Sequence, residues 1–157
     1  MQYQIRKMSE REYGLLEAFL YEAIFVPAGV PAPPREIIRQ PELQVYIADF
    51  GRKAGDCALA AEADGSVIGA VWVRIMDDYG HIDDETPSLA ISVQEGYRGS
   101  GIGTALMQAM LAELKRQGVF QASLSVQKEN RAVRLYQRLG FGIVSETEEE
   151  YIMLCRL

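Results

Sequence analysis

A glycine-rich turn between a strand-like segment and a helix-like segment constrains the fold of this chain more than any other feature. Residues 88–93, "SLAISV", alternate apolar and small side chains as a strand does. From Ile102, apolar residues recur at positions 102, 106, 110 and 114, a helical spacing that stops at Gly118. A further strand-like run, "ASLSV", follows at residues 122–126. This order predicts one strand–helix–strand crossover whose two strands are parallel.

The rest of the chain predicts mostly antiparallel strands. Asp64-Gly65 lies between two strand-like runs, which is the usual signal of a tight hairpin. Ser9 followed by Glu12 is a capping-box pattern that opens a helix, and the four prolines within Val26–Pro34 exclude regular helix there. The patterns predict further strands over residues 3–7, 57–62 and 67–76 and two near the C-terminus, with helices over residues 9–23, 41–50 and 130–139.

Together these elements predict the fold class. The chain has 157 residues, of which 48% are hydrophobic and 24% charged, and this composition fits one globular domain over residues 1–157. We expect an α/β fold of the α+β type. Its core would be a mixed, mostly antiparallel sheet of about seven strands, flanked by about four helices.

Composition and charge narrow the classes of function. No apolar run approaches the roughly 18 residues of a membrane span, and we see no secretory signal. We therefore expect a cytoplasmic protein with no membrane partner. The formal net charge of −6 argues against nucleic-acid binding and suits a small or cationic partner. Cys57 and Cys155 lack metal-type spacing, which predicts two buried thiols and no metal site.

The turn "YRGSGIG" at residues 97–103 has the features of an anion site. A helix N-terminus presents free N–H groups and the positive end of the helix dipole, and glycines let the backbone approach a phosphate closely. Arg98 adds a permanent positive charge. The same glycines are equally compatible with a plain strand-to-helix turn. The spacing G-x-G-x-G departs from the dinucleotide fingerprint, and the turn lacks the G-K-[ST] ending of a P-loop.

Two motifs carry a resemblance to a known family. "YRGSGIGTALM" resembles the acyl-CoA motif Q/R-x-x-G-x-G/A of the GNAT-type N-acetyltransferase superfamily, with Arg98, Gly101 and Gly103 at the matching positions. "NRAVRLYQRLGF" at residues 130–141 resembles that family's second signature. The order of predicted elements also matches, from Tyr3 to Leu157. The resemblance implies the acyl-CoA N-acyltransferase fold.

The resemblance further implies that acetyl-CoA, used as a cosubstrate without a metal, lies in a V-shaped gap between the strands at residues 89–93 and 122–126. Asn130 would hydrogen-bond it from the far side, or could simply cap the following helix. The pyrophosphate would sit on backbone N–H groups of Gly99, Ser100, Gly101, Ile102, Gly103 and Thr104 beside Arg98, and the pantetheine arm would pair with Ile91, Ser92 and Val93.

Tyr136 stands where the family carries a general acid for the departing CoA thiolate. A phenol can hydrogen-bond or protonate a thiolate as charge develops on the sulfur. Tyr136 also lies on the apolar stripe of its predicted helix, so a purely structural core role is the alternative.

An amine acceptor is mostly protonated at neutral pH and needs a base before it can attack. Glu85, in the acidic loop before the cleft strand, lies nearest the position where some family members carry a glutamate base. The alternative is that Asp83, Asp84 and Glu85 form a solvated surface that only attracts a cation. Trp72 could line the acceptor pocket or pack under a helix, and the Val26–Pro34 loop would shape the acceptor rim.

The leading prediction is therefore an enzyme: an acetyl-CoA-dependent N-acetyltransferase. It would move an acetyl group to a primary amine of a small molecule or peptide by direct attack of the amine on the thioester. The net negative charge of the chain favours a cationic acceptor over an anionic one. Two alternatives remain open. The chain could be a non-catalytic acyl-CoA binding or sensing domain, which would need the glycine turn but neither Tyr136 nor Glu85. It could also be a small-metabolite binder that uses the fold alone. A homodimer through the C-terminal strands is a further expectation.

Overall fold

One seven-stranded sheet organises the chain, in the order β1-β2-β3-β4-β5-β7-β6. The computed structural model describes residues 2–157, and Met1, the first residue of the predicted domain, lies outside them. All neighbouring strands are antiparallel except β4 and β5, which are parallel as predicted. The strands are β1 (Gln4–Lys7), β2 (Cys57–Ala63), β3 (Ser66–Arg74), β4 (Ser88–Val93), β5 (Gln121–Gln127), β6 (Gly142–Glu146) and β7 (Glu150–Arg156).

Within residues 2–157, four α-helices accompany the sheet: α1 (Leu16–Ala23), α2 (Pro41–Gln44), α3 (Ile102–Arg116) and α4 (Ala132–Arg138). The segment from Glu10 to Leu15 is a 3₁₀ helix, so the predicted helix over residues 9–23 begins more tightly wound than expected. The predicted helix over residues 41–50 is wrong in length, because after Gln44 the chain continues as turns. A 3₁₀ helix at Arg35–Arg39 was not predicted.

The two faces of the sheet bury different cores. Val71 and Val73 of β3 pack with Leu106 and Met110 of α3, whereas Trp72 on the opposite face packs with Leu20 of α1 and its neighbours. Successive side chains of a strand point to opposite faces of the sheet. The alternate residues of β3 therefore contribute to both cores, one on each face. Trp72 is fully buried and its Nε1 donates to the backbone oxygen of Tyr46 at 3.1 Å. Trp72 therefore packs under a helix and does not line the acceptor pocket.

A buried ion pair fixes the segment that follows α2. The side chains of Arg74 and Asp56 are each only 1% exposed, and the Arg74 guanidinium contacts both carboxylate oxygens, at 3.0 and 2.9 Å. Arg74 Nη1 also donates to the backbone oxygens of Val45 and Ala48. Arg74, the last residue of β3, thus holds the irregular chain after α2 in place.

The sheet opens between β4 and β5. In the described part of the chain, the only backbone register pair of these strands is Ser88 with Ser123. The neighbouring pairs are continuous, since β3 follows β4 from Gly69 to Arg74 and β5 follows β7 along its whole length. Beyond Ser88, the β4 backbone therefore has no strand partner on the β5 side. This gap is the V-shaped opening that the family resemblance implied.

Candidate active site

Two cavities meet where β4 and β5 diverge. The larger has a volume of about 1230 Å³ and extends to the glycine turn, whereas the smaller has a volume of about 310 Å³. Leu89, Ala90 and Ile91 point to alternate faces of β4, yet all three line the smaller cavity. The smaller cavity therefore passes through the plane of the sheet. Ile91, Asn130 and Tyr136 line both cavities.

The glycine turn forms one end of the larger cavity. Gly99 and Gly101 have φ angles of 81° and 83°, a left-handed conformation that disfavours any residue with a Cβ. Gly101 immediately precedes α3, and its backbone oxygen accepts from the N–H of Ala105 at 3.0 Å. The N–H groups of residues 102–104 come before Ala105, the first residue whose N–H bonds within the helix. They are therefore available to a ligand.

The predicted phosphate-binding residues contribute unequally. Gly99, Gly101, Gly103 and Thr104 all line the larger cavity. Ile102 does not, because its side chain is fully buried in the core, so only its backbone can take part. Nor does Ser100 appear among the lining residues, and its hydroxyl donates to the backbone oxygen of Tyr97 at 2.7 Å.

Three arginines bring positive charge to the larger cavity. Arg98 is half-exposed, and its Nε donates to the backbone oxygen of Val93 at 2.9 Å, which ties the turn to the end of β4. Arg131 and Arg138 line the same cavity from the opposite side. The sequence analysis missed these two, although their separation of seven residues places them on one face of a helix. A polyanionic ligand thus meets guanidinium groups on both sides of the cavity.

The β4 edge of the larger cavity is formed by Ile91, Ser92 and Val93, as predicted. The Ser92 hydroxyl is buried and has no hydrogen-bond partner among residues 2–157. The backbone of this edge faces the gap, where β5 does not pair with it. An extended polar ligand could therefore form hydrogen bonds along this edge as an additional strand would.

Asn130 has a structural role that the sequence predicted. Its Oδ1 accepts a hydrogen bond from the backbone N–H of Ala132 at 2.9 Å, and this contact caps the start of α4. The same residue lines both cavities. The cap orients α4 so that Tyr136, about one turn after Ala132, reaches the junction of the two cavities.

Tyr136 lies at that junction with only 8% of its surface exposed. Its ring packs edge-on against Phe141 at a centroid distance of 6.0 Å. Burial raises the pKa of Tyr136 to about 12, so its phenol is protonated at neutral pH. The residue is thus both part of the core and exposed to the two cavities, and the two roles predicted as alternatives are compatible.

The structure does not bring Glu85 to this site. Glu85 is exposed on the acidic loop and lines neither cavity, and its backbone N–H donates to Asp83 Oδ1 at 2.9 Å. The part of this loop that turns inward comes earlier. Asp78 Oδ1 accepts from the Ser88 hydroxyl at 2.8 Å, and Gly80 packs against the β5 backbone, where a Cβ would lie 3.1 Å from Ser125 N.

The carboxylate of Glu150 lines the smaller cavity instead. It lies at the start of β7, opposite Gln127 of β5, whose Nε2 donates to Glu150 Oε1 at 3.1 Å. Burial, with the nearby Glu149 carboxylate, raises the pKa of Glu150 above its usual value. A partly desolvated carboxylate with a raised pKa is suited to accept a proton from a bound ammonium group.

The Val26–Pro34 loop borders the larger cavity rather than the smaller one. Val26, Ala28, Ala32 and Pro33 line the larger cavity, and the hydroxyl of Tyr21 donates to the backbone oxygen of Pro33. The loop therefore covers the side that leads to the glycine turn. None of these four residues lines the smaller cavity, whereas Ile24 and Phe25 just before the loop line both cavities. The role of the loop at the acceptor rim stays a prediction.

Residues 2–157 contain no group of three or more His, Cys, Asp or Glu side chains arranged to hold a metal ion. None of their helices is both long enough and apolar enough to span a membrane. Cys57 and Cys155 are buried and unpaired as predicted, and burial raises the pKa of each thiol.

A comparison with protein families decides the classification. Residues 20–141 match the model of the Acetyltransferase (GNAT) family. The chain belongs to the GNAT acetyltransferase family. The matched residues include the glycine turn, Asn130 and Tyr136. Both motifs that carried the resemblance, and the residues where the two cavities meet, therefore belong to the GNAT domain.

Individual relatives agree with the GNAT family. An N-alpha-acetyltransferase of Sulfurisphaera tokodaii is 35% identical over 115 residues, covering 62% of this chain and 67% of the relative. A mycothiol acetyltransferase of Propionibacterium freudenreichii is 31% identical over 88 residues, or 55% of this chain. That match spans only 28% of the relative's length.

Solved structures share the fold. The PaiA N-acetyltransferase from Thermoplasma acidophilum, in complex with coenzyme A, superposes with a TM-score of 0.73 at 19% identity. The superposition covers 100% of both chains. At this level of identity the likeness concerns the fold alone. In this chain, the mixed sheet of that fold opens between β4 and β5.

Proposed function

We propose that this GNAT chain is an acetyl-CoA-dependent N-acetyltransferase that transfers an acetyl group to a primary amine by direct attack on the thioester. One observation carries the proposal: Tyr136 lies where a large cavity with a helix N-terminus meets a small cavity with a partly buried carboxylate. Such an arrangement suits a two-substrate transfer, because donor and acceptor meet in a fixed geometry beside one proton donor.

The larger cavity would take acetyl-CoA. The free N–H groups at the start of α3 suit the pyrophosphate, and Arg98, Arg131 and Arg138 suit the remaining negative charge. The β4 edge at residues 91–93 suits the amide groups of the pantetheine arm, and the Ser92 hydroxyl there accepts or donates no hydrogen bond within residues 2–157. An N–H of this edge near Val93 would stabilise the oxyanion as the thioester carbonyl is attacked.

The acceptor enters as an ammonium and loses two protons in the reaction. The first goes to Glu150, which leaves the nitrogen lone pair free to attack the thioester carbon. The N–C bond forms, the C–S bond breaks, and the second nitrogen proton passes by way of Tyr136 to the CoA sulfur. The products are the N-acetyl amine and CoA thiol, and Glu150 releases its proton to solvent. Glu150 here replaces Glu85 as the proposed base.

Passing the proton through Tyr136 avoids a free phenolate. With a pKa of about 12, Tyr136 donates readily only while it accepts a proton from the attacking nitrogen. That nitrogen is strongly acidic once it has bonded to the carbonyl carbon, so the two transfers support each other. Neither Cys57 nor Cys155 lines either cavity, which favours direct attack over an acetyl-cysteine intermediate.

The test is a calorimetric titration of the protein with acetyl-CoA, followed by a CoA-release assay with a panel of primary amines. We expect saturable binding and amine-dependent release of CoA. Binding with no release for any amine would favour the acyl-CoA sensing domain instead, and absence of binding would exclude both functions. Cytoplasmic location, a single domain, a homodimer and the cationic nature of the acceptor stay predictions here.

A further inference from the structure

Apolar residues are the larger group among those that line the smaller cavity, beside polar residues such as Gln40 and Ser125. Leu20 and Ile24 contribute from the region of α1, Ile37 and Leu43 from the segment around α2, and Leu124 and Val126 from β5. These side chains come from three separate parts of the fold and enclose about 310 Å³. A volume of this size fits a small molecule rather than a folded protein surface. Its apolar walls favour an acceptor whose body is hydrocarbon or aromatic.

The charges in this cavity have one sign. Glu42 and Glu150 line it, and among its described lining residues there is no Lys, Arg or His. These negative charges also act on Tyr79. Burial and the carboxylates of Glu42 and Glu150 together raise the pKa of its phenol. Glu42 is exposed at the rim, whereas Glu150 is partly buried next to Gln127. A single ammonium group has carboxylate partners in this cavity, but an anionic group has no cation to pair with.

We propose that the smaller cavity binds a compact primary amine with an apolar body and no carboxylate, such as an arylalkyl or alkyl amine, and selects against amino acids. The expectation that the bound amine is acetylated rests on the proposed function. Binding of the amine in the smaller cavity can be measured separately. Glu150 meets the ammonium, the apolar walls hold the body, and the carboxylates exclude a second, negative group.

The expected preference for phenethylamine over phenylalanine follows from the carboxylate of phenylalanine, which has no cation to pair with in the cavity. An amino acid such as phenylalanine carries the same ring and ammonium as phenethylamine, but it adds a carboxylate that would lose hydration without gaining a cation. An unpaired charged group in a partly buried site disfavours binding strongly, by about 100-fold or more. Each added methylene on an apolar amine, in contrast, should improve binding by about fourfold until the cavity is full.

The first experiment compares phenethylamine, phenylalaninamide and phenylalanine, which differ only in the group on the α-carbon. Binding is measured by calorimetry with and without CoA, and kcat/KM is measured with acetyl-CoA and expressed per concentration of free base. We expect phenethylamine to bind best, and phenylalanine to bind and react at least about 100-fold worse. Phenylalaninamide, which is neutral at that position, should lie between them.

The second experiment uses n-alkylamines from propyl to hexyl. We expect kcat/KM to rise by about fourfold per methylene. A flat series would overturn the apolar part of the inference, and so would a small peptide with a free N-terminus that reacts better than phenethylamine. The latter result would assign the site to peptide N-termini.

A charge-reversal variant tests the electrostatic part. Glu42→Arg supplies a cation at the exposed rim, so the preference for phenethylamine over phenylalanine should narrow by about tenfold. The matched control is Glu36→Arg, because Glu36 is also exposed on the neighbouring 3₁₀ helix but lines neither cavity. An unchanged preference in Glu42→Arg, or an equal change in Glu36→Arg, would contradict the inference.

The outcomes separate this inference from the proposed function. If acetyl-CoA is consumed but phenylalanine serves as well as phenethylamine, the acceptor class is wrong and the transferase function stands. If phenethylamine binds selectively but no acetyl group is transferred, the cavity assignment stands and the transferase function fails.

Discussion

Ser88 and Ser123 form the parallel backbone pair that joins β4 to β5, and their hydroxyl oxygens lie 3.4 Å apart. Beyond this pair the strands separate, and both cavities occupy the space between them. The Ser88 hydroxyl also donates to Asp78 Oδ1, and the Ser123 hydroxyl donates to the backbone oxygen of Gly80. The acidic loop is thereby held at the closed end of the gap, so the open end is left for the substrates.

Removing the hydroxyl of Tyr136 should impair chemistry without impairing acetyl-CoA binding. We expect Tyr136→Phe to lower kcat by about 100-fold to 1000-fold, as is usual when a general acid is lost. The Kd for acetyl-CoA should stay within about twofold, because the ring still packs against Phe141. Steady-state kinetics and calorimetry measure the two quantities. Tyr151→Phe is the matched control, since Tyr151 lines neither cavity, and an undiminished kcat in Tyr136→Phe would remove Tyr136 from the mechanism.

A carboxylate at Gly103 should separate stability from ligand binding. Gly103 lies in the first turn of α3, where no protein atom is within 4 Å of an added Cβ. Gly103→Glu should stabilise the protein by up to about 1 kcal/mol through helix propensity and the helix dipole. The same carboxylate would occupy the cavity beside the free N–H groups and repel the pyrophosphate, so the Kd for acetyl-CoA should rise at least about tenfold.

The control for this variant is Gly96→Glu, because Gly96 also has open space around an added Cβ but lines neither cavity. Thermal unfolding and calorimetry are measured on both variants. Unweakened acetyl-CoA binding by Gly103→Glu would show that the turn is a plain strand-to-helix connection.

Replacing Glu150 should reduce turnover and increase stability at neutral pH. The folded state raises the pKa of Glu150, so it binds this proton more tightly than the unfolded chain does. Ionised Glu150 therefore destabilises the fold at pH values above its folded pKa, and this penalty disappears below its unfolded pKa of about 4.3. We expect Glu150→Gln to raise the Tm at pH 7.5 but not near pH 4, and to lower kcat by about 100-fold.

Glu148→Gln, an exposed substitution in the same turn, serves as the control and should change neither quantity. Activity of the natural protein should fall as the pH is lowered through the raised pKa of Glu150. The high pKa of Tyr136 predicts no loss of activity from phenol ionisation below about pH 11. Full activity of Glu150→Gln would exclude Glu150 as the base.

The ion pair of Arg74 and Asp56 should dominate the stability of the segment that shapes the smaller cavity. Removing one partner leaves a buried charge unpaired, so Asp56→Ala should lower the free energy of unfolding by about 3–5 kcal/mol. Arg52→Ala, an exposed change in the same loop, should cost less than about 0.5 kcal/mol. Urea unfolding measures both. A loss for Asp56→Ala no greater than that for Arg52→Ala would contradict the structural role of the pair.

Local patterns predicted the elements that depend on local chemistry. The Asp64-Gly65 hairpin, the helix after Gly101 and the cap at Asn130 each follow from residues close in sequence, and the structure confirms them. The family motif also predicted correctly that the sheet would open between β4 and β5, because the crossover that carries the glycine turn joins these two strands.

The base could not be located in the same way. Glu150 is one of four glutamates in a charged turn, and its burial depends on the register of β5 with β7, which places it opposite Gln127. Glu85 is nearer the cleft in sequence, but the loop turns inward earlier, at Asp78 and Gly80. Long-range strand pairing and the path of a loop decide these positions, and neither is encoded in local periodicity.

The most direct test of the central claim is a paired measurement of products. Protein, acetyl-CoA and a panel of primary amines that includes phenethylamine are incubated, and free CoA and N-acetyl amine are quantified by mass spectrometry over time. We predict that the two products appear in a one-to-one ratio and that both are lost in Tyr136→Phe. Release of CoA without acetylated amine, or equal yields from the natural protein and Tyr136→Phe, would contradict direct transfer through Tyr136.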